Sequence, residues 1–161
     1  MDNRSLARVL HEIADILEIK GENPFRIRSY RLAAESVESS GRDVAALLVR
    51  GEALTGLPRV GEGIRSTLAE IVREGSSALH RELLDEVPRG VLDLLTLPGL
   101  GHKSVRLLWT GLGVRSPEEL EAAIDDGRFV ALPGMKEKKA ATLKRALVER
   151  RRRVAGRGPA V

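Results

Sequence analysis

Apolar residues recur along this chain at three- and four-residue steps. Leu6, Val9, Leu10, Ile13, Ile16 and Leu17 lay one greasy stripe, the period of an amphipathic helix. Gly21 ends that helix and Pro24 starts the next. Phe25, Tyr30, Ala33, Ala34 and Val37 keep a similar rhythm up to Gly41. Asp43 caps a third helix, Val44 to Arg50, closed by Gly51. Ile64, Leu68, Ile71 and Val72 predict a fourth, ending at Gly75, and Leu79, Leu83, Leu84 and Val87 a fifth. Pro88 restarts the chain into Val91, Leu92, Leu94 and Leu95, and Val105, Leu107, Leu108 and Trp109 follow. Ser116-Pro117-Glu118-Glu119 combines an N-cap, a first-turn proline and an acid, and opens a helix over Leu120 to Ile124. The last helix runs from about Lys136 to Arg153.

No run alternates as a strand does, so the expected fold is all-α. Two compact groups are expected, residues 1–78 and 79–153, joined at Gly75-Ser76-Ser77, with a disordered tail over 154–161.

One phrase occurs three times. It reads Leu57-Pro58-Arg59-Val60-Gly61-Glu62-Gly63-Ile64, then Leu97-Pro98-Gly99-Leu100-Gly101-His102-Lys103-Ser104, then Leu132-Pro133-Gly134-Met135-Lys136-Glu137-Lys138-Lys139. Each copy is followed by a helix, so a small hairpin of two helices is repeated. Glycine permits positive φ and close approach of another molecule. The next helix then presents unpaired N–H groups and its positive dipole end, where a phosphate oxygen fits. Such contacts grip the nucleic-acid backbone without reading bases. The candidate phosphate ligands are Gly61, Gly63, Gly99, Gly101, Lys103, Ser104, Gly134, Lys136, Lys138 and Lys139. Val60, Leu100 and Met135 are expected to point inward. The plainer reading is that each Leu-Pro-Gly merely stops one helix and starts another.

Charge sharpens the picture. Residues 136–161 hold ten Lys/Arg and two Asp/Glu, a surplus of eight, while the whole chain carries +4. A basic end suits a polyanionic partner, or a solvated tail. Composition removes several other chemistries. With no cysteine there are no disulfides, thiolate metal sites or cysteine nucleophiles, which fits a reducing compartment. His11, His80 and His102 are scattered, giving no histidine metal motif. Phe25, Tyr30, Trp109 and Phe129 are the only aromatic residues, too few for a base-stacking platform. The longest apolar run, Val44 to Val49, is far too short for a bilayer, and Met1-Asp2-Asn3-Arg4 does not open a signal peptide. The expected location is cytoplasmic, on the nucleoid.

At these hairpins the sequence resembles helix-hairpin-helix DNA-binding proteins. Residues 1–150 are similar to the N-terminal region of family X DNA polymerases, especially the bacterial type. The stretches that carry this are Ile13 to Arg26, Tyr30 to Ala34, Leu57 to Ile64 and Leu95 to Val105. The resemblance implies a small domain like the polymerase beta N-terminal, lyase-like domain, followed by a second helix-hairpin-helix domain. It implies phosphate binding at Gly99, Gly101, Lys103 and Ser104, and 5′-phosphate binding at Arg26 and Tyr30. At helical spacing Tyr30 reads equally as core. The resemblance also implies a monovalent cation, Na⁺ or K⁺, on backbone carbonyls such as those of Leu57 and Val60 or Leu97 and Leu100.

The departures are specific. Arg59 replaces the first glycine of the first hairpin, and Lys136 the second glycine of the third. The family's lyase lysine maps to Thr67, which cannot form a Schiff base. No D-x-D carboxylate pair for two-metal nucleotidyl transfer is present, and the PHP exonuclease domain of bacterial relatives has no counterpart. The chain is therefore expected to be non-catalytic and to bind double-stranded or gapped DNA, either as a short stand-alone protein or as a fragment of a longer one. The alternatives are an abasic-site lyase with another amine, or a protein-interaction scaffold.

Overall fold

The computed structural model describes residues 1–52 and 57–156. Every regular element among them is helical, so the all-α expectation holds. The chain divides into two compact units, Met1–Val87 and Pro88–Val161.

The first unit contains α1 (Asn3–Lys20), α2 (Pro24–Ser39), α3 (Val44–Val49), α4 (Glu62–Glu74) and α5 (Ala78–Glu86). Asp2 accepts the Ser5 N–H at 2.7 Å to start α1, and Gly21, at φ 75°, closes it. Leu6, Leu10, Ile13, Ile16 and Leu17 are fully buried in the core. Ala33 and Ala34 of α2 are buried too, small side chains that let helices pack closely. Polar contacts lock the seams. Arg31 of α2 pairs with Asp15 of α1 at 2.7 Å.

The expected joint at residues 75–77 lies inside this unit. Lys20 of α1 pairs with Glu86 of α5, and His80 Nε2 lies 3.2 Å from Glu12 Oε2 without forming a hydrogen bond. The unit therefore runs on to Val87, whose side chain is fully buried.

The second unit contains α6 (Arg89–Asp93), a single 3-10 turn (Leu94–Thr96), α7 (His102–Leu112), α8 (Pro117–Asp125), α9 (Arg128–Ala131) and α10 (Glu137–Gly156). Its core includes Leu94, Leu108, Leu120, Phe129 and Leu143, all fully buried. Gly90 is required by packing, since a Cβ there would stand 2.1 Å from the Arg115 carbonyl oxygen.

Two expectations change. The four-residue helix α9 was not anticipated, and it supplies the core's phenylalanine. Residues 154–156, expected to belong to a disordered tail, are the last residues of α10. The remainder of that tail lies outside the described residues.

Candidate nucleic-acid interface

All three repeats build the same turn. Arg59, Gly99 and Gly134 have φ of 67°, 77° and 80°. Proline precedes each, and in the second and third copies the fourth residue's N–H returns to the first carbonyl. Leu100 donates to Leu97 at 3.4 Å and Met135 to Leu132 at 3.1 Å. Proline followed by positive φ is the signature of a type II turn. Arg59 is the only non-glycine at positive φ among the described residues. Arginine's Cβ is disfavoured there, so something must hold the turn. Ser36, buried on α2, donates its hydroxyl to the Pro58 carbonyl at 2.6 Å. That bond fixes the Pro58–Arg59 peptide plane. Leu100 and Met135 are buried as expected, whereas Val60 is half-buried.

After each turn the chain enters a helix through a residue whose carbonyl accepts the first intrahelical bond. Arg65 donates to Gly61 at 2.9 Å, Val105 to Gly101 at 3.0 Å and Ala140 to Lys136 at 3.0 Å. Glycine and lysine have no side-chain acceptor. The helices elsewhere differ among themselves: α6 and α9 also lack a side-chain cap, while α3 is capped by Asp43. α1, α2, α5 and α8 are capped by the side chains of Asp2, Asn23, Ser77 and Ser116. α4 and α7 have no side-chain cap. The amides of Gly101, Lys103 and Ser104 find no acceptor among the described residues. Only α7 among the three hairpin helices has no acid in its first turn; α4 has Glu62 and α10 has Glu137.

The glycines leave the front of these helices bare. Gly61 and Gly101 have ordinary negative φ, and a Cβ on Gly61, Gly63 or Gly101 would meet nothing within 4 Å. Neither backbone strain nor internal packing requires glycine at Gly61 or Gly101. What it provides there is close access from outside.

In the second unit two hairpins converge. One shallow groove is lined by Pro98 and Gly99 from the second hairpin, and by Gly134, Lys136, Lys138, Lys139 and Thr142 from the third. Lys139 Cε lies 4.0 Å from the Cβ position of Gly99. This unit carries 15 Lys/Arg against 8 Asp/Glu, a surplus of seven, whereas the first carries 12 against 15.

Not every cation of the basic end is free. Lys144 reaches Glu121 at 2.6 Å and Asp125 at 2.8 Å, Arg151 pairs with Glu121, and Arg150 lies 3.4 Å from Glu118. Hydrogen bonding from Lys144 above all, with Arg151, holds the Glu121 carboxyl below its usual range. Asp125 and Glu121 in turn raise Lys144.

In the first unit Arg26 is exposed on the first turn of α2, while Tyr30 is 6% exposed and belongs to the core. Phe25 departs from the predicted stripe. It is 80% exposed and stands beside Arg26. Thr67 donates its hydroxyl to the Gly63 carbonyl at 3.1 Å. Lys20 is the one lysine of this unit, and its pairing with Glu86 and with Glu22, at 3.3 Å, raises its pKa.

Comparison with known proteins matches this geometry on both units. A helix-hairpin-helix domain family matches residues 1–77, and a SAM-like helix-hairpin-helix tandem family matches residues 91–149. Both parts of the chain are thus similar to helix-hairpin-helix domains. These helix-hairpin-helix domains are 34% identical over 149 residues to DNA polymerase/3'-5' exonuclease PolX of Bacillus subtilis. The match covers 92% of this chain and 25% of that protein, in its N-terminal part. DNA nucleotidylexotransferase of Ambystoma mexicanum is 30% identical over 102 residues, 63% of this chain and 19% of that protein. The chain thus spans a quarter or less of the length of these curated relatives. No helix among the described residues is long and apolar enough to cross a membrane.

Proposed function

We propose that this chain is a non-catalytic module that grips DNA by its phosphates, without sequence preference, in the setting of repair or replication on the nucleoid in the cytoplasm. The observation that carries this reading is the uncapped α7 N-terminus that follows Gly99 and Gly101, together with the groove that Gly99 shares with Lys136, Lys138 and Lys139. Free amides at a helix start and adjacent ammonium groups are the elements that bind a phosphate diester. The relatives named DNA polymerase and DNA nucleotidylexotransferase support a nucleic-acid partner.

The second hairpin is the principal site, since its first turn holds no acid. Gly134, Lys136, Lys138 and Lys139 of the third reinforce it. The first hairpin, with Gly61 and Gly63 open but Glu62 at its mouth, is the weakest. Arg26 is the 5′-phosphate ligand of the first unit, and Tyr30 acts by packing α2 that presents it. Phe25 offers a bare ring to a base unstacked at a gap, a contact worth about 1–3 kcal/mol.

The lyase alternative loses its amine in the first unit. Thr67 cannot form a Schiff base, and the raised pKa of Lys20 keeps it as an ammonium ion. Borohydride treatment with abasic DNA is expected to trap no covalent adduct.

Binding to gapped and intact duplexes of one sequence, across several salt concentrations, tests the reading. If six phosphates are neutralised, log K falls against log salt with a slope of about −5. Gapped DNA is expected to bind more tightly, and Phe25→Ala to remove that preference. Salt-independent affinity, or none near physiological salt, contradicts the reading.

A further inference from the structure

α10 is 20 residues long and carries two sets of cations with different surroundings. Each residue advances about 100° around a helix, so residues seven apart share a line. Lys144 and Arg151 share one such line, and both are engaged by the α8 carboxylate Glu121. Lys138, Arg145 and Arg152 share another, opposite the buried Ala140, Leu143 and Leu147. All three are exposed, and none has a carboxylate partner among the described residues. One acid, Glu149, lies on this face against the three cations.

Lys138 belongs to both places. It lines the groove between the second and third hairpins, and it begins the outer ridge. From Lys138 to Arg152 the ridge extends roughly 21 Å at about 1.5 Å per residue.

We propose that this ridge is a second phosphate track, which carries duplex DNA onward from the hairpin groove along α10. The proposal rests on reading that groove as a phosphate site. Its partner is a sugar-phosphate backbone, recognised by charge alone. The ridge length corresponds to roughly six base-pair steps of about 3.4 Å. Internal ion pairing sorts the basic end into two roles: Lys144 and Arg151 hold α8, and Lys138, Arg145 and Arg152 face the ligand.

Fluorescence anisotropy with the full chain and duplexes of about 10 and 20 base pairs tests this across a salt series. Arg145→Gln/Arg152→Gln keeps residues of good helix propensity, and circular dichroism checks that the helix remains. The double variant is expected to show a salt slope shallower by about 1.8, so that between about 50 and 200 mM salt wild type loses roughly tenfold more affinity than the variant. It is also expected to lose the affinity wild type gains from the longer duplex. Glu149→Gln is expected to tighten binding. Gly101→Asp tests the phosphate site at the start of α7, beside the groove, separately, and should weaken both duplexes while preserving the gain with length. An unchanged slope and an unchanged length gain in the double variant overturn the ridge and leave the groove standing. A silent Gly101→Asp with an affected double variant overturns the hairpin phosphate site and, with it, the proposal that the ridge continues a track from that site. A wild-type chain that binds neither duplex overturns both.

Discussion

Ser36 holds the carbonyl of Pro58 at 2.6 Å, and the next residue, Arg59, takes up a left-handed backbone at φ 67°. The corresponding positions of the other two hairpins are glycine. A side chain on a neighbouring helix thus maintains a turn that the local sequence disfavours. Ser36→Ala is expected to destabilise the first unit by about 1 kcal/mol, the usual worth of a lost hydrogen bond. Arg59→Gly is expected to raise stability by up to about 1 kcal/mol, since relief of strain outweighs glycine's greater unfolded-state entropy. In the double variant the loss at Ser36 should shrink. Urea denaturation of the four proteins measures this coupling.

Gly101 separates stability from binding. Its φ of −93° suits any residue, and a Cβ there meets nothing within 4 Å. Gly101→Ser places a good cap at the start of α7 and is expected to leave stability equal or a few tenths of a kcal/mol higher. DNA affinity should nevertheless fall, because the serine oxygen takes an amide and its Cβ blocks approach. Gly101→Asp adds repulsion and is expected to weaken binding by roughly 10- to 100-fold, the worth of a charge-assisted hydrogen bond. Thermal denaturation and DNA titration of the same samples check both halves.

Gly90 has the opposite character. A methyl group there would meet the Arg115 carbonyl oxygen at 2.1 Å, a backbone atom that cannot swing aside. Gly90→Ala is expected to destabilise the second unit by about 1–3 kcal/mol. Denaturation monitored by Trp109 fluorescence reports on that unit.

The Glu121 cluster sets a pH dependence. Lys144 and Arg151 depress the Glu121 pKa in the folded chain, so its contribution is complete above the ordinary glutamate range. It is lost as pH falls through the depressed value. The raised Lys144 contributes below the ordinary lysine range and loses its share only in strong alkali. The stability gap between wild type and Glu121→Gln should therefore be flat around neutrality and narrow only as pH falls below the ordinary glutamate range. Denaturant midpoints measured across that range give the result.

Much of this was legible in the sequence because local chemistry decides it. Gly21, Gly75 and Ser116-Pro117 mark helix ends through caps and turn geometry, and the structure uses each one. The second and third hairpins follow from a repeated phrase, although their convergence on one groove does not. What escaped depends on partners distant in sequence. The docking of α5 sets His80 and Lys20 beside acids elsewhere, and no pattern in residues 75–88 announces them. α9 is too short to show a period. Phe25 matched the spacing of a buried stripe but sits on the first turn of α2, where no helix covers it. The arginine run read as uniform charge, yet Arg150 and Arg151 meet carboxylates of α8 and Arg152 does not.

The central claim is that backbone amides at the start of α7 bind phosphate. Backbone amide chemical shifts, followed by NMR as duplex DNA is added, test it most directly. The amides of Gly101, Lys103 and Ser104 are expected to move most, joined by those of Lys138 and Lys139, and added salt should reverse the change. If those amides stay in place while others shift with bound DNA, the account is contradicted.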